Sequence, residues 1–225
     1  MITYSSIIKG NWQEALSNKA FRVKLISGLI LLIAVMIFTY HFFNYIENCK
    51  GGEVLNDWVL RMLPAKDVSI PIVFFEASVI VIFILRSATD PIMFITFLIA
   101  FILILISRCT TIGITQFRAP IEIIELRDPI ADMIYKVKFT NRDLFYSGHA
   151  SILLLFYLCS NNKIDKYYIL FAAISVSILV LIQHVHYTID VVSAPFFALG
   201  CFLLSKRIVN YHSFIHKREM VIVLV

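Results

Sequence analysis

Charge is scarce in this chain, and that scarcity is the first constraint. Only 16% of the 225 residues are Asp, Glu, Lys or Arg, 60% are hydrophobic, and the mean hydropathy is +0.84. Soluble domains carry about a quarter charged residues, so a water-soluble globular domain is excluded and a polytopic membrane protein indicated. The 4 cysteines are too few for a disulfide framework. Cys159 and Cys201 lie in or beside apolar segments, where a thiol behaves as a small hydrophobe. Cys49 and Cys109 fall on one expected side of the membrane, and spacing alone leaves a bridge between them open. With only 7 glycines and no repeat between the halves, the chain does not read as a transporter of repeated, Gly/Pro-broken helices. It also lacks an Asp/Glu cluster for a hard cation, so no metal and no other cofactor is expected. The net charge of +5 is spread along the chain. That suits cytoplasmic loops and anionic headgroups, not nucleic acid, and nothing indicates an obligate protein partner.

Long apolar runs are what the chain has in quantity. A bilayer core of about 30 Å takes about 20 residues of helix. Six segments are expected to span it: Val23–Ile46, Ile70–Leu85, Pro91–Ser107, Phe145–Ser160, Tyr167–Gln183 and Tyr187–Ser205. The expectation is an all-α bundle of six transmembrane helices forming a single domain, 1–225, with a core at 23–205 between tails at 1–22 and 206–225. The first apolar stretch follows a polar tail and is too long for a signal-peptide core, so it is read as the first span. With both termini cytoplasmic, the inner segments hold a slight majority of the 20 basic residues. The aromatic group Tyr40, His41, Phe42, Phe43 and Tyr45 then reads as an interfacial belt.

Against this background two polar motifs stand out, Tyr146-Ser147-Gly148-His149 and His186-Tyr187-Thr188-Ile189-Asp190-Val191. His149 opens span four, His186 and Asp190 sit between spans five and six, and Arg108 ends span three. All are expected at the outer interface, whether periplasmic, extracellular or luminal. At i and i+4 on a helix, His186 and Asp190 would share a face. A carboxylate on one ring nitrogen fixes the tautomer and leaves the other nitrogen as a nucleophile. Such a histidine can attack phosphorus and carry a phosphohistidine, while His149 serves as acid and then base. Arg108, Ser147, Gly148 and Tyr187 are read as the phosphate-binding set, with Arg118, Arg127 and Arg142 behind Arg108. A lone interfacial histidine is most often a packing residue, but here three elements coincide in order on one side. His184 is off the pattern and reads as structural. Glu76, inside span two, reads as a hydrogen-bonded strut before a proton relay.

These residues resemble a known group. Asp143-Leu144-Phe145-Tyr146-Ser147-Gly148-His149 is similar to the third signature of sphingomyelin synthases, and His186-Tyr187-Thr188-Ile189-Asp190-Val191-Val192 to their fourth. Arg108-Cys109-Thr110-Thr111 resembles the second, and Leu63-Pro64-Ala65-Lys66-Asp67 is a weak echo of the first. Where those synthases show Cys-Gly-Asp, this chain has Asn141-Arg142-Asp143; it also lacks the Ser-Arg pair of the phosphatase branch. The resemblance places the chain among the type-2 phosphatidic acid phosphatases (PAP2). It implies a six-helix membrane bundle and metal-independent phosphoester transfer on lipids, with His186 as nucleophile, Asp190 as its partner and His149 as acid/base. Three functions stay open. One is a phosphotransferase moving a phospho-headgroup from a membrane phospholipid donor to a lipid-alcohol acceptor such as ceramide or diacylglycerol. The second is a lipid phosphatase or phospholipase of the same fold. The third is a non-enzymatic scaffold or transporter, against which stands the presence of all three of His149, His186 and Asp190.

Overall fold

A computed structural model describes residues 12–49, 51–127 and 142–209, and all the regular elements there are helical. Beyond helical residues 12–17, the α-helices run Lys19–Glu47 (α1), Ser69–Ser87 (α2), Pro91–Thr115 (α3), Gly148–Cys159 (α4), Lys163–Ile182 (α5) and Thr188–Val209 (α6), with a 3₁₀ turn at Leu60–Met62. The starts are set by local chemistry. Asn18, Asp90 and Asn162 accept backbone N–H groups at the N-termini of α1, α3 and α5, and Pro91 follows Asp90 at the first helical position.

Five of these helices are long and apolar enough to cross a membrane; α4, with 12 residues, is not. Six full spans were expected, and the fourth falls short. Phe145 and Tyr146 adopt positive φ (90° and 51°) and Ser147 caps the helix, so α4 begins at Gly148 and spans only ~18 Å at 1.5 Å per residue. Helix α3 departs the other way. Expected to end at Ser107, it continues to Thr115, with Thr110, Thr111 and Thr115 donating hydroxyls to carbonyls one turn back. Arg108 therefore sits inside α3, about two turns or ~10 Å before its end.

Helix α4 occupies the centre, packed on α3, α5 and α6; α1 lies outside against α3, and α2 against α5. Small buried residues (Ala100, Ala150, Ala172, Ala173, Ala194, Ala198) bring backbones close. In lipid, where apolar transfer drives little, such packing is what holds helices together. The bundle has two distinct ends. At one, Lys24 Nζ donates to the Val209 carbonyl, Trp12 Nε1 to Ser87, and Asn161 to Asp90, so the start of α1 meets the end of α6. Residues 1–11 and 210–225, most of the two expected tails, lie outside the described residues. At the other end sit all the motif residues, under the loops 51–68 and 116–127.

The cysteines close one open question. All four are free thiols. Cys109 is buried on α3 with Sγ 3.6 Å from Thr39 Oγ1, while Cys49 donates to the Tyr45 carbonyl at 3.4 Å, so no Cys49–Cys109 bridge exists. Because α3 runs on past Ser107, Cys109 lies inside the bundle and not in a loop.

Candidate active site

Asp190 is the hub of the site and is fully buried. Oδ1 accepts from the Phe145 amide at 3.2 Å; Oδ2 accepts from the Tyr187 amide at 3.0 Å and lies 3.2 Å from His186 Nδ1. Its carbonyl accepts from the Ser147 amide at 2.9 Å. One residue thus stitches the segment before α4 to the junction before α6. The His186–Asp190 contact was expected on a helix face, but α6 begins only at Thr188. His186 stands in the turn before it and reaches Asp190 in the first helical turn. A proton on Nδ1 donated to Oδ2 leaves Nε2 bare.

The His149 ring faces His186 with centroids 5.9 Å apart and planes at 66°. On its other side, Glu76 of α2 places Oε1 4.0 Å from His149 Nε2, with the two side chains 11% and 17% exposed. Arg108 is buried; it donates from Nη1 to the Tyr146 carbonyl at 2.7 Å, pairs through Nη2 with Asp143, and lies over the Tyr146 ring. That packing explains Gly148, since a Cβ there would come within 2.8 Å of Arg108 Nη1 and 2.9 Å of Cζ. The positive φ of Tyr146 is over-determined by its surroundings. The ring stacks on Phe197 at 4.3 Å and the hydroxyl donates to the Ile104 carbonyl at 2.9 Å.

Not every expected ligand converges on the histidines. Tyr187 was read as a phosphate ligand, yet its buried hydroxyl donates to the Arg118 carbonyl at 2.8 Å and accepts from the Leu55 amide at 3.2 Å. It ties the two roof loops together, and burial raises its pKa, so it stays protonated. Arg118 and Arg142 likewise grip loop backbone: Arg118 donates to Gly51, and Arg142 to Gly51 and Cys49. The Arg127 amide donates to Ser69 Oγ. Of the four arginines, Arg108 alone is tied to the Tyr146–Gly148 segment in these contacts. Ser147 Oγ accepts from the Ala150 amide and is primarily a helix cap. His184 adopts φ 56°, with Nε2 3.0 Å from the Leu63 carbonyl, a structural setting.

Three carboxylates carry more than their sequence positions suggested. Asp143, met only as the first letter of a motif string, pairs with Arg108. Glu76 faces His149, and the only signal for it was the cost of an ionisable group inside a span. Asp57 had no signal at all. It reaches from the roof loop to cap α6, accepting from Thr188 N at 2.6 Å and Thr188 Oγ1 at 3.1 Å, and also from Val59 and Leu60 amides. Burial works to raise its pKa, but these hydrogen bonds outweigh it and hold the carboxyl below its ordinary value. Among the described residues no group of His, Cys, Asp and Glu is arranged to hold a metal ion.

Residues 142–207 match the family model described as PAP2 superfamily C-terminal. The matched stretch contains His149, His186 and Asp190, and leaves Glu76 and Arg108 outside. No curated protein and no solved structure matches the chain. The match covers less than a third of the chain and makes that part similar to the PAP2 superfamily, whose members are typically phosphatases or phosphotransferases; five helices are long and apolar enough to cross a membrane.

Proposed function

We propose that the protein is a membrane-embedded lipid phosphotransferase. It would move a phospho-headgroup from a phospholipid to a lipid alcohol such as ceramide or diacylglycerol, through a phosphohistidine on His186. The observation that carries this reading is the facing pair of imidazoles, 5.9 Å apart, with Asp190 on Nδ1 of one of them. In the first step His186 Nε2 forms a bond to phosphorus as the P–O bond to the diacylglycerol breaks. The departing oxygen takes a proton from His149. In the second step the acceptor hydroxyl loses its proton to His149 and bonds phosphorus as the P–N bond breaks. Asp190 holds the tautomer and stabilises charge on the ring, and the first turn of α4 directs amide groups at the same end of the bundle. Arg108 supplies the cation, exchanging part of its contact with Asp143 for phosphoryl oxygens.

The burial of these groups supports a lipid acceptor. Arg108 lies about two turns inside α3, and the side chains of His149 and His186 are only 17% and 2% exposed. A site at that depth favours an alcohol arriving from the bilayer over water. We place it at the outer face, with both termini cytoplasmic, on the basic-residue distribution.

Purified protein in liposomes of labelled phosphatidylcholine and phosphatidylethanolamine, with phosphatidic acid, ceramide and diacylglycerol, tests the proposal beside a His186→Ala control. A new headgroup-bearing lipid that forms only with an acceptor is expected. Release of free phosphate or phospho-headgroup without any lipid acceptor would make the protein a hydrolase of the same fold.

A further inference from the structure

We propose that the 3₁₀ turn of the first roof loop is an interfacial anchor: it lies in the lipid headgroup layer at the site end of the bundle, with Trp58 and Met62 against phospholipid. The turn has two faces. On the inside, Leu60 is buried with Leu144 and Tyr187, beside both motif strings. On the outside, Trp58 and Met62 are 65% and 73% exposed. Large apolar side chains left open together in one short turn mark a surface that meets something other than water.

Three observations point to the bilayer as what they meet. The loop is pinned at the level where the apolar helices end. Before the turn, Asp57 accepts from the amide of Thr188, the first residue of α6. After it, the Lys66 amide donates at 3.1 Å to the carbonyl of Ile182, the last residue of α5. Held between these two ties, the turn stays close to the membrane surface. The apolar face also continues into α2, which is long and apolar enough to cross a membrane. Ile70, 84% exposed near the start of α2, shares a helix face with exposed Phe74 and Val81. That stripe faces lipid and begins just after the loop. The residue types fit as well. Tryptophan joins an apolar body to an N–H donor and collects at the membrane interface. Exposed Arg61 and Lys66 suit headgroup phosphates, whereas Asp57 and Asp67 beside them are turned to backbone amides. Seated there, the turn keeps the start of α6, two residues after His186, at the depth of a phospholipid's phosphate.

The test reads the depth of Trp58 directly. The chain has 2 tryptophans, and Trp12 stands at the opposite end of the bundle, so Trp12→Phe leaves Trp58 as the sole reporter. The purified full chain is placed in phosphatidylcholine vesicles whose acyl chains carry bromine either near the headgroup or near the methyl end. Iodide, present on both sides of parallel unbrominated vesicles, is the aqueous quencher. Trp58 emission is expected to fall more with the shallow bromine than with the deep one, and to be quenched by iodide less than free tryptophan is. Full quenching by iodide with none by bromine would put the turn in water. Quenching chiefly by the deep bromine would put it in hydrocarbon, and quenching by neither reagent would mean that protein covers the ring, a second copy included. Each of these three results overturns the inference. Where Trp12→Phe lowers stability, the difference between wild type and Trp58→Phe gives the same signal with Trp12 kept. None of these readings uses turnover, so they stand apart from the phosphotransfer proposal.

Discussion

The two ends of the bundle use their polar groups differently. At the end where α1 starts and α6 finishes, the polar contacts among the described residues serve nearby helix termini and loops. Asn18, Asp90 and Asn162 cap, Lys24 meets the last described carbonyl of α6, and half-exposed Arg86 pairs with Asp165. Those residues answer the orphan N–H and C=O groups that every helix leaves. At the other end Glu76, Arg108 and His149 lie within helices α2, α3 and α4. Two of them are ordinarily charged and the third titratable, and their contacts run across the bundle to one another's segments. The comparison separates polar groups that folding requires from those it merely tolerates, and only the second kind gathers around the facing histidines.

The largest expected effect breaks the comparison at its centre. His186→Ala and His149→Ala should each cut turnover by at least about 10³-fold and leave membrane insertion and thermal midpoint close to wild type. Asp190→Asn comes next. Losing the tautomer control costs about 10²–10⁴ in rate. Asp190 also accepts from two buried amides, so an amide nitrogen turned toward either leaves a donor unsatisfied, at about 1–3 kcal/mol. Asp190→Asn should therefore lower both rate and thermal midpoint, which separates it from the histidine variants. A rate loss with no change in stability would remove the hub role assigned to it.

Gly148→Ala tests the Arg108 cradle. The added Cβ would stand 2.8 Å from Arg108 Nη1, so either the guanidinium or the backbone must move. We expect a rate loss of about 10-fold or more from misplacement alone. Arg108→Lys should also be poorly tolerated, because Lys lacks the planar fork. If the glycine acts through the arginine, the loss from Gly148→Ala shrinks in the Arg108→Lys background; full additivity would disconnect them.

How much of this was visible in the chain itself differs between the two ends as well. Asp90-Pro91 and Asn162 announce their helices locally, and apart from the end of α3 the apolar runs gave the segments to within a few residues. The two motif strings were legible as polar breaks in apolar sequence, and the structure brings His149 of one beside His186 and Asp190 of the other. What a linear reading lost were the contacts made across the bundle. Tyr187 lies inside the motif yet turns its hydroxyl up to the roof loops, and Asp57 reaches α6 across more than half of the chain. The early end of α3 was misread for a physical reason. Arg108 resembles a membrane boundary to any hydropathy argument, whereas its charge is met by Asp143 and a carbonyl, so the helix continues through it.

Asp57 gives a prediction for the site end that concerns stability more than chemistry. Its folded pKa lies below the ordinary value, so its contribution is fully present above the unfolded pKa of about 3.9 and is lost as pH falls through the folded value. Asp57→Asn should cost about 0.5–2 kcal/mol near neutral pH, the usual range for a helix cap. The gap in thermal midpoint between wild type and variant should then close below about pH 4. A gap that persisted unchanged into acid would assign the effect to the altered loop and not to the carboxylate.

The smallest effect belongs at the far end. Arg86 is 44% exposed at its side chain, and its pair with Asp165 joins the end of α2 to the start of α5. Exposed pairs contribute about 0.2–1 kcal/mol and are screened by salt. Asp165→Asn should thus lower the thermal midpoint slightly at low ionic strength and less at high, with turnover unchanged. A change in turnover would mean that the two ends are coupled through α2 or α5. Glu76 lies on α2, between Arg86 and the roof, so it is the residue through which that coupling would have to be sought.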